Sequence, residues 1–389
     1  MKGFEISSHD SAKLIREQVN GLVKNCFSDP NWLSVFEAHS GLAIAPCHQI
    51  ATSNGTPIAF LPAYVKSESL CGTLRDRLFG RYSSVPVFKR WGRQNALVCS
   101  SPWGFYSGIE CGPEDRSDVF NTLLSHIDQV AHNRGLGLSG FTFVPESSHE
   151  LRTQLRANGY KALPAGPTAI LELKWKSFDD YIAKFPRNRV RNVIRERKKA
   201  KRLSFEWVED DSLEKQYFGR PLHSILMELY NSTQYKHYGR ESILNDSFLP
   251  ELWRVDKRNL RLCIAILDRR IVSFMLMRVF GSMAHAFMLG RDYSIADDFY
   301  SYFNVAYYEA IIRGIDEGWH AIDYQPGALE AKLMRGCRLE NLYLYVKAHN
   351  LFSRAFLQLY FPVAGKYFHD KYADFTAPSL TAPCKTPGP

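Results

Sequence analysis

The chain has 389 residues, 45% of them hydrophobic and 23% charged. That is the make-up of a packed globular protein of about two domains, and it excludes a disordered, collagenous or fibrous chain. The formal net charge is +9, but the excess is local: residues 187–202 hold nine Lys or Arg and one acid, Glu196, so this segment carries +8 and the other 373 residues only +1.

In chain order, residues 42–51 and 57–65 predict paired strands around the turn Ser53-Asn54-Gly55. Residues 96–100 predict a further strand, and 118–133 a helix, with Val119, Leu123, Ile127 and Val130 at helical spacing. Strand 140–144, helix 147–157 and strand 169–173 follow, an alternation typical of α/β proteins. A long helical segment covers 178–202, with Pro186 marking a kink or a new start. The second half repeats the pattern: a strand at 203–207, a helix at 222–235, a hairpin of 260–268 and 271–280 over Arg269-Arg270, and a strand at 283–289. A helix at 302–317 and strands at 321–324 and 342–347 complete it. The division expected is 1–175 as a first domain, 176–202 as a basic linking helix, 203–375 as a second domain and 376–389 as a disordered tail.

The N-terminus lacks the apolar run of a signal peptide, and no stretch approaches the roughly 18–20 apolar residues of a membrane span. Eight scattered cysteines with no CxxC pair fit a reducing cytoplasm, each thiol being expected as a small buried group. Gly135-Leu-Gly137-Leu-Ser-Gly140 matches GxGxxG, but a helix precedes it and a strand follows, the reverse of a dinucleotide site; helix cap and turn are expected instead. P-loop, HExxH and GxSxG motifs are missing, and the twelve His have no metal-ligand spacing.

The basic segment carries the strongest signal. Arg187, Arg191, Arg195, Lys198 and Arg202 recur every three or four residues and form one stripe on a helix, with Val190, Val193 and Ile194 free to face a core. With Arg189, Arg197 and Lys199 they make up the expected nucleic-acid-binding set, because one acid cannot offset nine cations and an external polyanion would.

Three segments resemble the FemAB-like branch of the GNAT acyltransferase superfamily: Leu61-Pro-Ala-Tyr64-Val-Lys66-Ser67, Arg187-Asn-Arg-Val-Arg-Asn192-Val-Ile-Arg195-Glu-Arg197, and Tyr307-Tyr308 with Pro326-Gly327-Ala-Leu-Glu330-Ala-Lys332-Leu-Met-Arg335-Gly336. Ala331 stands where that family commonly has His, and Asn304 where it commonly has Glu. The resemblance implies an α/β (α+β) fold of tandem GNAT-like domains joined by the basic helix, forming amide bonds. It further implies an activated acyl donor, aminoacyl-tRNA as co-substrate with no other cofactor, and an amine of a small metabolite or cell-wall precursor as acceptor. Lys332 is then expected near the ester, Glu330 at the acceptor amine, and one of Tyr307 and Tyr308 as a hydroxyl donor, Tyr308 being the catalytic candidate. Tyr64, Trp103 and Tyr106 are expected to stack terminal bases, and Lys66, Arg291, Asn304, Tyr307 and Arg335 to line the substrate site. The alternatives are an N-acyltransferase using acyl-CoA or a carrier-protein thioester, and a non-catalytic RNA-binding protein. The segment after Leu289, Gly290-Arg-Asp-Tyr-Ser-Ile-Ala, has one glycine where a CoA pyrophosphate loop would need several.

Overall fold

A computed structural model describes residues 4–42, 44–66, 86, 95–112, 116–209, 213–295 and 299–376. The 376–389 tail expected to be disordered lies, past residue 376, outside them.

Most of the predicted elements are present. The Asn-Gly turn closes the hairpin of His48–Ser53 and Thr56–Leu61, with Asn54 and Gly55 both at positive φ, the backbone a two-residue hairpin loop requires. The Arg116–Asn133 helix ends as expected at Gly135 (φ 62°), and the Leu138–Pro145 strand follows. Pro186 separates two helices, Phe178–Ala183 and Arg187–Lys199. The hairpin of Leu260–Leu267 and Arg270–Phe280 turns over Asp268-Arg269, one residue earlier than predicted. The helix expected at 302–317 is interrupted: Asn304–Glu309 is a π-helical stretch between Ser301–Phe303 and Ala310–Asp316. Such widened turns re-aim side chains and are frequent at functional sites.

Eleven strands form one sheet that runs through both halves of the chain. From one edge, it passes from Ser204–Val208 through Leu260–Leu267, Arg270–Phe280, Met283–Arg291 and Ala321–Asp323 to Lys161–Glu172. It continues through Arg338–Ala348, Leu138–Pro145, Ala96–Val98 and Tyr64–Lys66 to Ile44–Pro46. The halves exchange strands: Arg338–Ala348, late in the chain, pairs antiparallel with both Lys161–Glu172 and Leu138–Pro145 from the first half. A second, four-stranded sheet holds Glu5–His9, the Asn-Gly hairpin and Glu110–Cys111.

A buried cation joins the N-terminal segment to the second half. Arg278, fully buried on its strand, donates to Asp256, to Asp29 and to the Cys26 carbonyl. Asp29 also caps the Pro30–His39 helix, accepting from Asn31 N at 2.9 Å. Burial alone would disfavour the guanidinium charge, but the two carboxylates outweigh it and raise the pKa of Arg278. The six described cysteines are free and buried, as expected of each; Cys71 and Cys384 lie outside the described residues. Among the described residues, no helix is long and apolar enough to cross a membrane.

Candidate active site

The parallel pairing of Met283–Arg291 with Ala321–Asp323 stops at His285 and Asp323. Beyond it the first strand bulges at Phe287, opposite Leu276 and Met277, and the second turns away at Gln325 (φ 64°). Bulges re-aim side chains and are common beside active sites. A cavity of about 560 Å³ opens on this face of the sheet. Its floor is made of residues at alternate strand positions, Met283 and His285, Asp323, Thr168 and Ile170, and Arg338, Glu340 and Leu342, while Lys24, Asn25, Tyr106, Glu110 and Ser147 to Leu151 form the walls.

Asp323 is the organising group. Its Oδ1 accepts from Thr168 Oγ1 at 2.5 Å and from Gln325 N at 2.8 Å, and its Oδ2 accepts from Gln325 Nε2 at 3.1 Å. His285 Nδ1 lies 3.5 Å from Oδ2. Burial alone would raise the carboxyl, but His285, Thr168 and the Gln325 amide hold it below its ordinary value. For His285, burial pulls downward and is outweighed by Cys26 and Asp323, which push the imidazole up to about 10. The site therefore sets an imidazole against a carboxylate at the floor of a cavity. Glu110 is buried on the wall and accepts from Lys24 N at 2.7 Å; burial pushes its carboxyl up.

The residues singled out from the sequence fall into four groups. Tyr106 lines the cavity. The C-terminal set lies behind the floor and is structural in its contacts. Lys332 is buried and donates to the carbonyls of Tyr324 and Gln325, both at 2.7 Å, and Pro326 at 3.3 Å. All three ammonium protons are spent on a turn that carries positive φ at Gln325, Gly327 and Ala328, and burial brings the lysine down to about 8. Arg335, 1% exposed, donates to the Ala331 carbonyl and to Glu196, and lies 4.2 Å and 4.4 Å over the rings of Phe303 and Tyr307. Tyr308 donates to the same Glu196, and burial with that carboxylate pushes its hydroxyl up to about 12. Both tyrosines are core residues, not one core and one cleft, because the π-turn lodges them between the sheet and the basic helix. Asn304 is fully buried, donating to Tyr300 O at 2.9 Å and accepting from Arg197 at 3.0 Å. Glu330 is exposed.

The remaining candidates lie apart from the cavity. Tyr64 is buried and donates to Glu37 at 3.0 Å, Lys66 is buried on the same strand, and Trp103 stacks on Phe36 at 5.5 Å. Arg291 ends its strand with its guanidinium 5.0 Å over the Tyr293 ring. Gly290 sits inside that strand, where an added Cβ would meet the Phe274 ring at 2.2 Å and the Leu229 backbone at 2.9 Å. It makes room for the Leu222–Tyr238 helix crossing the strand and does not belong to a phosphate loop.

Replacing Lys332 with Met is expected to cost about 2 kcal/mol of stability, the order of the penalty for leaving buried carbonyls without donors. A denaturant melt at the wild-type midpoint would contradict the clamp.

The basic helix divides by face. Arg187, Arg191, Arg195, Lys198, Lys199 and Arg202 are exposed, as the spacing predicts. Arg189 and Arg197 are turned inward: Arg197 pairs with Glu309 at 2.5 Å and Arg189 approaches Glu196 at 3.9 Å. Val193 is buried, but Ile194, expected in the core, is 53% exposed among the cations, because Glu196 takes the inward position.

His285, Asp323 and Thr168 were not among the residues the sequence singled out. One signal for them was present: a histidine within the otherwise apolar strand Met283 to Leu289, and an aspartate closing Ala321-Ile322.

The sequence matches the FemAB-like family model, described as peptidoglycan biosynthesis/recognition, over residues 10–372. Among proteins with curated descriptions none matches. The fold is similar to FemX (TM-score 0.59, 11% identity, 91% of this chain and 99% of that one). It is also similar to a tandem GNAT protein from the clavulanic acid biosynthesis pathway (0.51, 11%, 90% and 99%) and to L-PGS from Bacillus licheniformis (0.50, 12%, 87% and 98%). With the family match covering nearly the whole described chain, and a fold similar to that of a tandem GNAT protein beneath it, the protein belongs to the FemAB-like family.

Proposed function

We propose that the chain transfers an aminoacyl group from aminoacyl-tRNA to an amine acceptor, a small metabolite or a cell-wall precursor, in the cavity at His285. The observation that carries this reading is the His285–Asp323 pair at the end of the parallel strand pairing, facing an open cavity. The acceptor nitrogen attacks the ester carbonyl, a C–N bond forms, and the C–O bond to the ribose breaks. The imidazolium of His285 gives its proton to the departing hydroxyl, and the proton lost by the amine restores it. While charged, it also offers a donor to the developing oxyanion. The electrostatic role expected for Lys332 thus passes to His285, since the lysine's protons are held by three carbonyls. Glu110, Glu150 and Glu340 line the same cavity and supply carboxyl groups that would hold an incoming ammonium and take the proton it must lose before its nitrogen attacks.

The exposed stripe Arg187, Arg191, Arg195, Lys198 and Arg202 supports a polyanionic donor. The position of Gly290 beneath a helix weakens the acyl-CoA alternative. Arg191→Ala with Arg195→Ala is expected to weaken tRNA binding and to flatten the log–log salt dependence by roughly 0.7–0.9 per lost phosphate contact. An unchanged slope would contradict the role of the stripe.

A further inference from the structure

The basic helix does not end the cationic surface. Its C-terminal end leads onto a band in which cations and aromatic rings alternate in contact. Lys199 lies 5.6 Å over the ring of Tyr300, and Arg202 5.0 Å over that of Phe299. Arg202 also reaches Asp268 at 3.7 Å, which brings in the hairpin turn, where Arg269 sits 5.9 Å over Phe218. The next residue, Arg270, bridges to Asp292 at 2.5 Å and Ser294 at 3.3 Å, and beside them Arg291 covers Tyr293 at 5.0 Å. Tyr293 in turn meets His237 at 3.1 Å, next to Tyr238, which is 69% exposed. Among the described residues, Asp268, Asp292 and Glu228 beside this path are each paired with an arginine.

We infer that this band is a binding track for single-stranded RNA, continuous with the basic stripe; this rests on, and deepens, the reading of an RNA-linked donor. Three physical points support the assignment. The band brings together cations from the helix, the hairpin turn and the residues after 291, linked through Asp268 and Asp292, so phosphates would meet a series of cations along it. Phe218 is 43% exposed although its backbone lies at φ 53°, a conformation a bulky residue adopts at a cost. Water is a poor partner for so large a ring, and an unpaired base is a good one. Arginines held over rings at 5.0–5.9 Å set cations and aromatic faces side by side, the combination on which unpaired bases stack. A duplex keeps its bases inside and could use only the charges, so the rings select a single strand.

The test uses the full-length protein, a labelled 12-nucleotide single-stranded RNA, the same sequence as a duplex, and inorganic polyphosphate as a charge-only probe. Phe218→Ala and, separately, Tyr238→Ala are each expected to weaken single-strand binding by roughly tenfold, as loss of one stacked base would, with duplex and polyphosphate binding unchanged. The Tyr238 variant guards against a folding defect at Phe218, being the more exposed site. Wild-type affinity of both variants for the single strand would overturn the track, and so would an equal loss for all three probes. The outcome separates from that of the donor reading. Ring-dependent RNA binding without consumption of an aminoacyl ester sustains the track and defeats the donor, whereas normal ester consumption by variants with unaltered RNA affinity does the reverse.

Discussion

Replacing His285 with Asn is expected to lower turnover by about 10²- to 10⁴-fold, the range a positioned acid–base group contributes, with the fold retained. Asn keeps a side-chain donor near Asp323 but carries no transferable proton. Asp323→Asn should act in the same direction through the histidine, because it removes one of the groups, after Cys26, that push the imidazole up. The two substitutions together should cost little more than His285→Asn alone, as for groups that act as a unit. The proton on His285 has a second, independent readout in stability. Its pKa is raised in the fold, to about 10, so the stability linked to it is fully present below the ordinary histidine value and is lost as pH rises through about 10. The His285→Asn protein should therefore lose less stability than wild type between neutral pH and pH 10. Equal turnover in the two proteins, or parallel stability profiles, would remove His285 from the chemistry proposed for it.

The second large effect is on the fold. Arg278→Met is expected to destabilise the protein by about 3–5 kcal/mol, the cost of removing one partner from a buried ion pair. It leaves Asp29 and Asp256 buried with no cation between them. Arg278→Lys should recover only part of the loss, since one ammonium cannot reproduce a planar fork directed at two carboxylates and the Cys26 carbonyl. Asp29 and Cys26 belong to the segment beside the cavity wall formed by Lys24 and Asn25. The loss should therefore also appear as faster hydrogen exchange across residues 24–32. Wild-type stability of the methionine variant would show that the cluster does not hold this segment.

How much of this was legible in the sequence follows from whether each feature depends on near or distant neighbours. The Asn54-Gly55 turn, the Arg116–Asn133 helix and the Gly135 cap are local, and the residues dictate them. The exposed stripe on the basic helix is also local, being a matter of helical spacing. That Arg197 turns away from it is not, because its partner Glu309 reaches the helix only once the π-turn packs there. The exchange of Arg338–Ala348 into the first half depends on pairing with strands nearly two hundred residues earlier. The family motif drew attention to Glu330, Lys332 and Arg335 because they are charged and clustered in sequence. Folding buries two of them behind the site, where they hold a strained turn and the π-helical segment. His285 and Asp323 are 38 residues apart and meet only across a parallel strand pair, so neither stood out before the sheet was assembled.

The proposed reaction forms an amide bond in the cavity at His285 from an RNA-borne ester. It is tested most directly by single-turnover incubation of the full-length protein with a pool of charged tRNAs and candidate amines, run in parallel with acyl-CoA, and with amide products identified by mass spectrometry. The expected result is an amide made from a charged tRNA by the wild-type protein, and its loss in a folded His285→Asn variant. Amide formed equally by that variant, or formed from acyl-CoA while every tRNA ester stays intact, would contradict it.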